Sequence, residues 1–133
     1  MIDDVKGLMK YSSAHKYPKN TPIINENDTM PYSMYILLQG KVRVVKNYGK
    51  SNQATIASLN VGDFFGEMSL FLMEPRSATV ITAEESILLE INQANVNEFI
   101  MESPDILHSI IKTLCTRING LNEKIRLLAP TRM

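Results

Sequence analysis

From Leu107 to Leu128 the chain places an apolar residue at successive spacings of four, three, four, three, four and three. The series is Leu107, Ile111, Leu114, Ile118, Leu121, Ile125 and Leu128. That is a heptad seam, the pattern two helices need to pack along each other. Just before it stand Ser103, Pro104 and Asp105: a hydroxyl able to cap, a proline suited to a first turn, and an acid near the positive dipole end. Pro130 ends the run. A helix packed only on its own domain also needs an apolar stripe, but usually a broader and less regular one. The length of the seam therefore favours a dimer interface over internal packing. Gly120 and Asn122 weaken the helix locally, which points to a bend or a polar task there.

Upstream the period is different. Between residues 20 and 91 short β-rich runs alternate with turn chemistry. "TPII" precedes the polar turn "NENDT", and "MYILLQGKVRVVK" places Gly40 between two runs, as in a hairpin. In the second run Val42 and Val44 alternate with Lys41 and Arg43, the pattern of a half-buried strand. "ATIASL" reads as another strand between "NYGKSNQ" and "NVGD", and "SATVITAEESILLEI" as two more around "AEES". Repeated short strands at this spacing predict an all-β barrel, roll or sandwich. Two shorter helices flank it: "IDDVKGLMKYSS", and Gln93 to about Met101 with Val96, Phe99 and Ile100 facing inward.

With 133 residues, the chain fits one domain able to bury its own core. Fourteen basic residues balance fourteen acidic ones, so no basic excess calls for nucleic acid. Cys115, the single cysteine, excludes an internal disulfide, a four-cysteine zinc site and an iron–sulfur cluster, and is expected to be a small buried hydrophobe. The N-terminus lacks the sustained apolar core of a signal peptide, and no apolar run is long enough for a membrane span. A cytoplasmic location with no membrane partner is the expectation. His15 and His108 have no acidic or cysteine partner at metal-ligand spacing, and no nucleophile–base set, Walker loop or dinucleotide fingerprint appears. We expect no enzyme, no catalytic residues and no metal or cofactor.

The chemistry concentrates in "GEMSLFLMEPRSATV", Gly66 to Val80. Gly62 and Gly66 permit a sharp turn. A helical turn after Gly66 would present free N–H groups to an anion. Arg76 adds a planar fork suited to two phosphate oxygens, with the Ser77 hydroxyl beside it. Glu67 cannot bind a phosphate but can accept from a sugar hydroxyl. The residues alone also admit a plain surface ion pair between Glu67 and Arg76.

Phe65-Gly66-Glu67-Met68-Ser69-Leu70 followed by Pro75-Arg76-Ser77-Ala78 resembles the phosphate-binding cassette of cyclic nucleotide-binding domains. With "YILLQGKVRV", "LNVGDFFGE" and "SPDILHSIIKTLCTRINGLNEKI", the likeness extends to the sensor half of bacterial catabolite activator proteins, the Crp/Fnr regulators, over nearly the whole chain. The resemblance implies a mainly β fold: an eight-stranded antiparallel β-roll of jelly-roll type, with flanking short helices and a long C-terminal helix. The roll and its flanking helices would occupy residues 1–102 and the dimerisation helix residues 103–129 of the same domain.

Carried over residue by residue, the resemblance gives Glu67 the ribose 2′-hydroxyl and Arg76 the cyclic phosphate. Ser77 adds a hydroxyl to the phosphate, and main-chain groups of Gly66, Met68 and Ser69 line the rest. Ser69 replaces the commoner alanine or glycine. Where those regulators read adenine with a Thr-Ser pair, the second residue across the dimer, this chain has Leu121 and Asn122. Leu121 cannot hydrogen-bond a base; Asn122 has both donor and acceptor and suits adenine or guanine. The ligand implied is a cyclic nucleotide, cyclic AMP ahead of cyclic GMP. The implied role is a homodimeric sensor, either of a transcription regulator or as a stand-alone signalling module. No helix-turn-helix follows the long helix in this sequence, so no direct nucleic-acid binding is expected. The competing reading is a dimerisation or scaffold module whose roll binds another anion or nothing.

Overall fold

The computed structural model describes residues 14–128. In chain order these form β1 (Ala14–Tyr17), β2 (Pro22–Ile24), β3 (Ser33–Gln39), β4 (Val42–Lys46), β5 (Ala54–Leu59) and β6 (Phe64–Phe65). Then follow α1 (Glu67–Leu72), β7 (Thr79–Thr82), β8 (Ser86–Asn92), α2 (Val96–Glu102) and α3 (Pro104–Leu128). The short N-terminal helix expected over "IDDVKGLMKYSS" and the stop at Pro130 lie outside the described residues.

The eight strands make two four-stranded sheets, ordered β1-β8-β3-β6 and β2-β7-β4-β5, with every pairing antiparallel. This is the antiparallel roll with a long C-terminal helix that the resemblance implied. One expectation is corrected: β3 and β4 do not pair across Gly40. At Gly40 (φ 97°) the chain leaves one sheet for the other, β3 pairing with β8 and β6, β4 with β5 and β7. A Cβ there would meet the Ser86 hydroxyl at 2.3 Å and the Glu85 carbonyl at 2.5 Å, so the crossing needs glycine. Alternation along β4 also fails where the ladder shifts between Val44 and Val45, leaving both Val42 and Val45 buried.

The first sheet is covered on both faces, which explains its nearly continuous apolar strands. Leu37, Phe65 and Leu88 turn toward Ile24, Val42 and Val80 of the second sheet. Met34, Ile36, Leu89 and Ile91 turn the other way, against Leu70, Phe99 and Ile110 of the three helices. Burying these side chains contributes about 1.5–3 kcal/mol each relative to exposure, so the layered core is what holds the helices to the roll.

α3 carries two stripes. Ile110 is buried, and Ile106 and Leu114 pack beside it on the roll's core. Of the heptad series, Leu114 joins that stripe and Leu107 is half-buried, whereas Ile111, Ile118, Leu121, Ile125 and Leu128 are exposed. Cys115 is exposed on α3, correcting its expected burial, because it falls outside both stripes. Among the described residues no helix is long and apolar enough to cross a membrane, and no group of three or more His, Cys, Asp or Glu side chains could hold a metal.

Candidate functional site

The chain enters α1 through Gly66 at φ 83°, the left-handed region. A Cβ at Gly66 would lie 2.9 Å from Arg76 Nη1 and 2.9 Å from the Ser33 carbonyl oxygen. Glycine is therefore required twice, by the backbone angle and by the approach of Arg76.

Arg76 is only 7% exposed. Its Nη1 donates to the Gly66 carbonyl at 3.0 Å and its Nη2 to the Ser33 carbonyl at 2.6 Å. The guanidinium lies over the Tyr32 ring, 5.2 Å from its centroid. Among the described residues no carboxylate lies within ion-pair distance of it. Burial pushes the Arg76 pKa down, opposed by Tyr35, Tyr32, Asp28 and Glu67, in that order. An arginine still keeps its charge at any pH the fold tolerates. The main chain around it is tied on both sides: Asn27 N–H donates to the Arg76 carbonyl at 2.8 Å, and Arg76 N–H donates to the Asp28 carbonyl at 3.0 Å. One residue on, Lys46 Nζ donates to the Ser77 carbonyl at 2.5 Å while paired with Glu26 at 3.1 Å. The "NENDT" turn, expected only to link strands, thus grips the arginine segment.

Gly66, Glu67, Met68, Ser69, Arg76 and Ser77 all line one cavity of about 370 Å³, together with apolar walls from Ile24, Val44, Ala57, Leu59, Phe64 and Val80. The structure brings together six of the seven residues singled out from sequence. Asn122 is not among the lining residues; it lies on the exposed C-terminal half of α3. The surface-pair alternative does not hold, because Glu67 pairs elsewhere. Glu67, 5% exposed, takes a hydrogen bond from Arg117 of α3 at 2.7 Å. Arg117 also lies over the Phe64 ring at 5.2 Å and lines the cavity.

Sequence reasoning missed Arg117, Tyr32 and Ser33. Arg117 stands beside the seam, between Leu114 and Ile118, but nothing local ties it to a carboxylate fifty residues earlier. Ser33 acts through its carbonyl, which residue type does not reveal.

The arrangement offers a buried cation, without a carboxylate at ion-pair distance among the described residues, near a carboxylate acceptor, with Ser69 and Ser77 lining the same cavity. A cavity of this volume is at the small end of ligand pockets, suited to a mononucleotide-sized molecule. Among the described residues that line it there is no nucleophile–base pair.

Comparison with known proteins agrees in sequence and fold. The chain is 28% identical over 127 residues to the cyclic AMP receptor protein of Thermus thermophilus, covering 96% of this chain and 58% of that protein. It is 28% identical over 123 residues to the cAMP-activated global transcriptional regulator CRP of Salmonella typhimurium, covering 92% of this chain and again 58% of the relative. The chain thus spans less than two thirds of the curated relatives it matches. The crystal structure of the Thermus thermophilus catabolite activator protein superposes with a TM-score of 0.78 at 27% identity, over 97% of this chain and 61% of that one. The family model for the cyclic nucleotide-binding domain matches residues 14–103, from β1 to the residue before α3, taking in the cavity-lining residues apart from Arg117, and the chain belongs to that family.

Proposed function

We propose that this chain is a cyclic AMP sensor that works by binding alone, with the cavity as its ligand site. The observation that carries the reading is Arg76: a nearly fully buried cation, held by two carbonyls, facing a cavity and lacking a carboxylate partner among the described residues. A buried charge without a counter-ion is costly, and a cyclic phosphate supplies the missing negative charge. In this reading Arg76 and the Ser77 hydroxyl take the phosphate. Main-chain groups of Gly66, Met68 and Ser69 complete that end, and Glu67 accepts from the ribose 2′-hydroxyl. The apolar walls cover the base.

Asn122 enters from outside. In a single chain it is exposed, and so are Ile118, Leu121 and Ile125 around it. Pairing two copies along this seam covers those residues and carries Asn122 of one copy toward the ligand of the other. Ligand then contacts both roll and helix, so its affinity differs between helix arrangements, and that difference is all a ligand can use to shift them. In a transcription regulator the shift would be read by a domain beyond α3; in a stand-alone module, by a partner of the dimer.

Thermal melts with cyclic AMP, cyclic GMP, AMP and a cyclic dinucleotide test the assignment. A ligand at about a hundred times its Kd adds roughly 2.7 kcal/mol of stability. Stabilisation by cyclic AMP above the other three is expected. No shift with any cyclic nucleotide at millimolar concentration would leave only the scaffold reading.

A further inference from the structure

Ser69 carries a buried hydroxyl that engages no hydrogen-bond partner among the described residues. It is 6% exposed and lines the cavity. Its carbonyl accepts from Met73 N–H at 2.8 Å, but its hydroxyl has no hydrogen-bond partner among the described residues. A serine or threonine inside a helix usually turns its hydroxyl back onto the preceding turn. In α3 both Ser109 and Thr116 do so, donating to the Asp105 and Lys112 carbonyls at 3.2 and 3.0 Å. Ser69 does not, and a buried hydroxyl without a partner is uncommon because its desolvation goes uncompensated.

Its neighbours explain what it lacks. Ser69 is three residues beyond Gly66, so the two share one face at the start of α1, and the Gly66 carbonyl is where Arg76 Nη1 is anchored. The Gly66 oxygen is also taken by Leu70 N–H at 3.3 Å. Glu67, two residues from Ser69, is engaged by Arg117. Ser69 and Arg76 line the same cavity, and a guanidinium is a donor that cannot accept. What is missing is an acceptor that Arg76 would also bind.

We propose that the Ser69 hydroxyl donates directly to one exocyclic oxygen of the ligand's cyclic phosphodiester, making Ser69 an affinity-determining side chain of the phosphate end. The inference rests on the cyclic nucleotide reading above and adds a side-chain role to a residue credited there only with main-chain contacts. It also makes the contact stereospecific. A phosphodiester in a ring has two inequivalent exocyclic oxygens, and one hydroxyl serves one of them.

The test is Ser69→Ala, with cyclic AMP and its two phosphorothioate diastereomers as probes, in which sulfur replaces one or the other exocyclic oxygen. A melt without ligand checks that the variant folds. Titration calorimetry should show Ser69→Ala binding cyclic AMP about ten-fold more weakly than wild type, as expected for one hydrogen bond to a charged acceptor. Toward one diastereomer the loss should persist. Toward the other it should nearly vanish, because sulfur has already removed the acceptor. Unchanged affinity for cyclic AMP, or an equal loss with both diastereomers, would overturn the proposal while leaving the pocket assignment standing. Failure of the wild-type chain to bind any of the three probes would instead sink the cyclic AMP assignment, and this inference with it.

Discussion

Arg117 of α3 donates to the Glu67 carboxylate at 2.7 Å, joining the long helix to the mouth of the cavity through one ion pair. Glu67 is buried, whereas Arg117 keeps nearly half of its side chain in water. Solvent weakens such a pair, so Arg117→Ala should cost about 1 kcal/mol in urea unfolding rather than the larger figure of a fully buried pair. A double-mutant cycle with Glu67→Gln should recover most of that as coupling; independent effects would mean the pair is incidental.

Arg76 tolerates no cation of a different shape. Lysine supplies the charge but cannot donate to the Gly66 and Ser33 carbonyls while offering a second edge to a phosphate. Arg76→Lys should therefore lose most of the ligand-induced rise in melting temperature. Arg76→Ala should lose all of it, and should also destabilise the ligand-free chain by about 1–3 kcal/mol, by removing a buried donor from the Ser33 carbonyl and one of two donors from the Gly66 carbonyl. A normal ligand shift in Arg76→Ala would place the anion elsewhere.

Gly66→Ala tests the entry to α1. The left-handed backbone angle alone costs a non-glycine residue about 1–3 kcal/mol, and the methyl group would press on Arg76 and on the Ser33 carbonyl. Both stability and ligand response should fall. A variant that melts lower but still responds fully would mean the arginine can move aside.

Tyr35 links stability to alkaline pH. It stacks on Phe65 at 5.3 Å, and burial, with help from Glu90 and then Tyr17, pushes its pKa up to about 12 from 10.0. The unfolded chain releases this proton first, so the contribution is fully present below pH 10 and is lost as pH rises toward 12. Tyr17 is pushed the same way, by burial first and then by Glu90. Melting temperature should fall with pH above about 10 in the wild type, and Tyr35→Phe should flatten that slope. Parallel slopes would remove Tyr35 from the account.

The exposed seam predicts self-association. Leu121 and Ile125 are 58% and 62% exposed and touch no core of their own chain, whereas Leu114 packs against the roll. Sedimentation should show a dimer for the wild type and monomers for Leu121→Lys, with the domain still folded. An unchanged mass would mean the copies meet elsewhere.

How much of this was legible in the sequence depends on the range of the forces involved. Strand runs such as "ATIASL" and the start of α3 at Pro104 follow from local preference, and they sit where pattern puts them. β1 and β6 did not announce themselves: "AHKY" has no clear alternation, and "FF" is too short to show a period. The crossings between sheets were illegible for another reason. Gly40 looks the same in a hairpin and in a corner, and only the closeness of residues 85 and 86 decides which it is. Six lining residues were readable because they lie within twelve positions of one another. Arg117 and the Ser33 carbonyl reach the site from far along the chain, and no local pattern records that.

The Arg76 anchorage carries a kinetic consequence. Its main chain hangs on residues 27 and 28 and its guanidinium on Ser33, partners more than forty positions away along the chain. Contacts of such sequence separation form only once the intervening loops have closed. The Arg76 setting is therefore complete only when those distant segments have come together. On the proposed reading, a bound ligand therefore reports a domain in which both sheets have closed, and added ligand favours that closed state by mass action.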